Sequence, residues 1–107
     1  MSLAEKSFKE LNDLGERVAE KYFEAKQMTM LKMRGELIAE IDAPYDVYLN
    51  KVERAYALLD PREKNLINNE FFFQNYRDWW IGLYSKASFY RFKKQAMHKF
   101  LEAFAHA

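Results

Sequence analysis

Cysteine is absent from this 107-residue chain. No disulfide can staple the fold, and no thiolate can serve as nucleophile or metal ligand. A reducing compartment suits such a chain, and a cytoplasmic location is expected. Glycine (three) and proline (two) are scarce. That starves β-turns and favours long helices joined by short loops. No apolar run approaches the roughly 20 residues that span a bilayer, so no membrane partner is expected. The opening MSLAEKSFKEL carries charge within its first six residues and lacks the apolar stretch of a signal peptide. No glycine-rich phosphate loop and no Ser–His–Asp arrangement can be traced. The expectation is a protein that is not an enzyme and needs no cofactor.

What is present is apolar mass and charge of both signs. Half the residues are hydrophobic, 31% are charged and 17% are aromatic. That composition folds rather than staying disordered, and 107 residues suit a single domain. The net charge of +1 hides an asymmetry. Residues 1–60 carry nine basic and twelve acidic side chains, and residues 61–107 carry eight and four. A local basic field attracts a polyanion even when the whole chain is nearly neutral.

Apolar spacing predicts an all-α protein of about six helices. The first covers residues 2–28, where Phe8, Leu11, Gly15, Val18 and Tyr22 recur every three or four positions. A second covers 29–41, with Met30, Met33, Leu37 and Ile41 on one stripe. Asp42-Ala43-Pro44 is expected to end it, because proline disfavours helix at the residue before it. A third runs from 44 to 59, with Tyr45, Tyr48, Leu49, Val52, Ala55, Tyr56 and Leu59 on one broad face. Asp60-Pro61-Arg62-Glu63 then combines an N-cap acid, a proline at the first helical position and a glutamate at the third. The fourth helix therefore opens at Pro61 and ends near Phe72. A short fifth helix is expected over 75–82, capped by Asn75 and stopped near Gly82. Ser85 caps a sixth that runs to about Ala105, with Phe89, Phe92, Ala96, Phe100 and Phe104 as its core stripe. Residues 1–43 thus read as N-terminal helices packed on a helical core over 44–107.

The last helix carries the functional signal. From Ser85 through Leu101 there are five cations (Lys86, Arg91, Lys93, Lys94, Lys99) and no acid. Short helix, tight turn with a glycine, then a cationic helix is the layout of a helix-turn-helix, whose second helix enters the DNA major groove. Lys86, Tyr90 and Lys94 fall at i, i+4 and i+8, with Arg91 and Lys93 flanking them towards phosphates.

The residues LDPREKNLINNEFFF and YSKASFYRFKKQAMHKF resemble the sigma-factor region 4 type of helix-turn-helix. They look most like the small ArpU/RinA-like late transcriptional regulators of phages. The likeness spans about the last 55 residues and is most specific over Ser85, Ser88, Phe89, Tyr90, Arg91, Lys93 or Lys94, and Ala96. It implies a DNA-binding transcriptional regulator. By carry-over, Ser85 caps the recognition helix, Lys86, Ala87 and Tyr90 face bases, and Arg91 and Lys94 contact backbone. Double-stranded DNA is the implied partner, with RNA polymerase or another protein as a further one. Trp79 stands where the family has a small residue, and Gly82 lies three before the serine rather than two.

A second reading belongs to another class: a non-enzymatic helical interaction module that has lost DNA binding. In it, the seam Phe8, Leu11, Val18 and Tyr22 pairs two copies into a homodimer. Two smaller features have ordinary explanations. Trp79 and Trp80 suit a buried corner more than an exposed stacking platform. His98, Glu102 and His106 align at i, i+4 and i+8, but no fourth ligand joins them, so no metal site is expected.

Overall fold

Ser7 marks where the first helix begins. Its hydroxyl accepts from the Glu10 N–H at 3.2 Å, and the Glu10 carboxylate accepts from the Ser7 N–H at 3.1 Å. This reciprocal pair satisfies donors that a helix start leaves free. In the computed structural model, which describes residues 6–33, 39–73 and 77–106, the helix is α1, Phe8–Met33. It is followed by α2 (Ala39–Ala57), α3 (Pro61–Ile67), a π-helical turn over Asn68–Phe72, and α4 (Lys86–Ala105). Among the described residues the chain is all-helical, with no strand beyond a single bridge between Ile81 and Tyr84.

Among the described residues, four helices and a π turn stand in place of the expected six. The division of the N-terminal half differs most. Residues 29–33 continue α1 rather than opening a new helix. The stop expected at Asp42-Ala43-Pro44 does not occur, because α2 starts at Ala39 and passes through Pro44. Pro44 is the sixth residue of α2, past the first turn, so it leaves one i→i−4 bond unmade and the helix continues beyond it. The connection between α1 and α2 falls at residues 34–38, outside the described residues.

Cross-helix bonds give the directions. Tyr45 Oη donates to Glu24 at 3.5 Å, Tyr48 Oη to the Val18 carbonyl at 3.1 Å and Tyr22 Oη to Glu53 at 3.5 Å. Thr29 Oγ1 donates to Asp46 at 3.5 Å, so from Thr29–Asp46 to Tyr22–Glu53 one number falls as the other rises, and α1 and α2 are antiparallel. Phe8 meets Tyr90 at the start of α4, and Tyr48 meets Phe104 at its end. Helix α4 therefore runs parallel to α1 and against α2. Burial pushes the Tyr48 phenol up to about 12, since its neutral form is the one that suits the interface.

The core lies where the three long helices meet. Leu11 and Val18 of α1, Val52 and Ala55 of α2, Leu66 and Ile67 of α3, and Phe89, Met97 and Phe100 of α4 are all buried. The stripe on α4 is Phe89, Ala96, Met97, Phe100 and Leu101, with Phe92 and Phe104 at its margin. It is turned from the expected stripe: Met97 and Leu101 are buried, whereas Phe92 is only partly so.

The predicted cap at Asp60 is present in full. Asp60 Oδ1 accepts from the Glu63 N–H and Glu63 Oε1 from the Asp60 N–H, both at 2.8 Å, with Pro61 at the first helical position. Beyond Ile67 the helix widens into the π turn, which separates three consecutive phenylalanines. Phe71 is buried, its ring against the Gly15 backbone. Phe72 meets Tyr22, Phe23 and Phe100 edge-on. Phe73 faces solvent.

The expected short helix over 75–82 is replaced, within the described residues 77–84, by a series of turns. Asn75, its expected cap, lies outside the described residues. Ile81 N–H bonds Asp78 at 3.1 Å, and Leu83 and Tyr84 N–H both bond Trp80 at 3.0 and 3.1 Å. Gly82 sits at φ +92°, a backbone region that side chains disfavour. Trp80 stacks on Phe89 with ring centres 4.4 Å apart, and Trp79 meets the same ring edge-on at 5.8 Å. Two adjacent tryptophans on a helix point about 100° apart, so sharing one ring opposes helix here.

Candidate nucleic-acid interface

Ser85 opens α4 as the sequence suggests. It is extended, and its hydroxyl accepts from the Ser88 N–H at 3.2 Å. No acid occupies the first turn. This fixes the direction of the first three turns, where the candidate residues sit.

Those residues separate into three groups. Lys86, Ala87, Arg91 and Lys94 are exposed. No ion pair involves Lys86, Arg91 or Lys94 among the described residues; Arg91 instead donates to the Ser88 hydroxyl at 3.4 Å. Tyr90 is 41% exposed, yet its ring packs on Phe8 at 5.4 Å and lies 6.4 Å from Trp80. It belongs to the seam between α1 and α4 more than to an open ridge. Lys93 is not available to a ligand. Its ammonium is 2.7 Å from Glu70 Oε1, and the two side chains are only 12% and 13% exposed. It also lies over the rings of Phe8 and Phe71 at 5.4 and 5.5 Å. The other oxygen of Glu70 accepts from Trp79 Nε1 at 2.8 Å. The Lys93 expectation is therefore corrected: on a helix it shares a face with Phe89 and Phe100, and its charge is used inside the fold.

Lys99 is likewise engaged, bonding Glu63 at 2.8 Å, which raises its pKa. One cation missed in the sequence joins the surface from α3. Arg62 Nη2 donates to Tyr84 Oη at 3.1 Å, and its guanidinium lies 5.0 Å from the centre of the Phe92 ring. The bond to Tyr84 raises its pKa further, so it stays charged. Arg62, Tyr84, Ser88, Arg91, Phe92 and Gln95 line a shallow cleft of about 340 Å³. Its charged lining is two guanidinium groups, and its other polar groups are hydroxyls and an amide. Such a surface can hold phosphate oxygens through charge-assisted hydrogen bonds. The spacing Arg62 to Phe92 gave no sequence signal, since only the chain fold brings α3 beside α4.

The dimer seam is covered. Leu11 and Val18 are buried, and Phe8 and Tyr22 pack on the same internal core. They are not free to zip with a second copy. His98 and His106 both reach Glu102, at 3.4 and 3.6 Å, and no group of three or more His, Cys, Asp or Glu suited to a metal ion occurs among the described residues. No described helix is long and apolar enough to cross a membrane. No family model matches this chain, and no curated protein or solved structure does.

Proposed function

We propose that this chain is a non-enzymatic DNA-binding protein that grips the phosphate backbone with the N-terminal half of α4. What carries the reading is the set of exposed cations on the first three turns of α4, Lys86, Arg91 and Lys94, none in an ion pair among the described residues, with Arg62 of α3 beside Arg91 across the cleft. Solvated cations release counterions from DNA when they meet phosphates, and that release drives association. Ala87 leaves room beside them for close approach to a groove. Phosphate contacts fix position and carry little sequence information. The binding is therefore expected to be broad in sequence. The part in transcription, with RNA polymerase as a further partner, rests on the resemblance to sigma region 4 alone. The tryptophan turn takes the place of that module's first helix, so the docking proposed is of α4 itself.

The test is anisotropy of a labelled duplex with charge-reversed variants. Arg91→Glu with Lys94→Glu weakens binding by at least about tenfold, whereas Lys26→Glu at the far end of α1 leaves it within about twofold. Equal affinity of all three proteins, or no binding of duplex at low salt, overturns the proposal.

A further inference from the structure

An exposed apolar surface is built from residues that take no part in the cationic cleft. Phe23 is 44% exposed and Phe73 is 62% exposed. Monomeric proteins seldom leave two such rings side by side without a use for them. Here they flank a groove between α1, α2 and the π turn. One hollow of about 240 Å³ is lined by Tyr22, Phe23, Val52, Tyr56, Phe72 and Phe73. A second of about 400 Å³ shares Phe23, Phe72 and Phe73 and continues along α1 past Glu16 and Glu20.

The charged side chains that line the two hollows are all acids. Glu53 lines the first hollow, and Glu16 and Glu20 line the second. No lysine or arginine lines either. Lys26 and Lys64 stand at the rim of the first hollow, over the rings of Tyr22 and Tyr56 at 5.6 and 5.5 Å. Glu53 accepts a bond from Tyr22 at 3.5 Å and keeps its second oxygen for a partner.

An apolar trough with acids along its edges fits a helix whose apolar stripe seats in the rings and whose flanks are basic. We propose that this groove docks a cationic amphipathic helix of a partner protein. The occupant inserts one or two large apolar side chains between Phe23 and Phe73. Its lysines or arginines meet Glu16, Glu20 and Glu53. This surface is independent of the DNA site, since the two share no residue.

The test uses a displayed library of random peptides of about sixteen residues, long enough for four helical turns. Selected peptides are expected to carry more Lys and Arg than Asp and Glu, with apolar residues three and four apart. Synthetic copies then bind wild-type protein, and both Phe73→Asp and the triple change Glu16→Lys, Glu20→Lys, Glu53→Lys weaken them by at least about tenfold. Circular dichroism confirms that the variants keep their helix, and Phe73, being exposed, tolerates the change. Three outcomes overturn the proposal: selected peptides that are neutral or acidic, no enriched sequence, or binding that neither variant alters. A concentration-dependent dimer in sedimentation that Phe73→Asp abolishes also overturns it, because a second copy is then the occupant. Duplex binding by the Phe73→Asp protein is expected to match wild type, which keeps this result separate from the DNA reading.

Discussion

Single residues here do work that their type alone does not announce. Gly15 stands on the α1 stripe, and what lies against it is a ring of the π turn. A Cβ at that position meets Phe71 Cε1 at 2.7 Å and Cζ at 2.8 Å. Phe71 is 4% exposed and has Lys93 on its ring, so it cannot swing away cheaply. Alanine in an open helix gains about 1 kcal/mol over glycine. Overpacking a tight contact costs about 1–3 kcal/mol. Gly15→Ala is therefore expected to lower stability in urea denaturation, against the helix propensity. Lys93 and Lys94 make a sharper contrast. The sequence treats them as equals, and only the position of the buried stripe tells them apart. Lys93→Ala removes the cation from a mostly buried carboxylate and is expected to cost about 2 kcal/mol or more, read as a lower thermal midpoint. Lys94→Ala is expected to leave that midpoint unchanged and to weaken duplex binding.

Elements with strong local chemistry were read correctly, and elements set by distant packing were not. The caps at Asp60 and Ser85 depend on side chains within three residues, so sequence was enough. The Ser7–Glu10 box has the same signature and places the start of α1 after Ser7, not at residue 2. Pro44 reads as a stop from its local chemistry, yet α2 runs through it. The turns over 77–84 were misread as helix because their conformation follows from Trp79 and Trp80 sharing Phe89, a contact across the fold. Asp60 offers a test at this scale. Accepting the Glu63 N–H holds its carboxyl below the usual aspartate range. The folded pKa is thus the lower one. The stabilisation is complete above the unfolded value and is lost as pH falls through the folded value. Asp60→Asn keeps a capping oxygen without a titrating charge. Guanidinium denaturation of the two proteins is expected to differ at neutral pH and to converge in strong acid. A gap that stays constant with pH contradicts the assignment.

At the scale of the molecule, the separation of sign along the chain is the feature that sequence showed best. The acidic first half supplies Glu16, Glu20 and Glu53 around the aromatic groove. The basic second half supplies the cations of α4. What the sequence did not show is how few of those cations stay free. Lys93 and Lys99 are held by Glu70 and Glu63, two of the four acids in that half. Arg62 restores some of the loss from a different helix. The surface left is smaller than the charge run suggested, and it predicts a number. Four phosphate contacts, from Arg62, Lys86, Arg91 and Lys94, imply a slope of log affinity against log salt of roughly −3 to −4 on B-form DNA. The direct measurement is that slope, taken by anisotropy of a labelled duplex across a salt series, for wild type and for Arg91→Ala with Lys94→Ala. The account predicts that the double variant's slope is shallower by about 2. An identical slope in the two proteins, or affinity that does not change with salt, contradicts it.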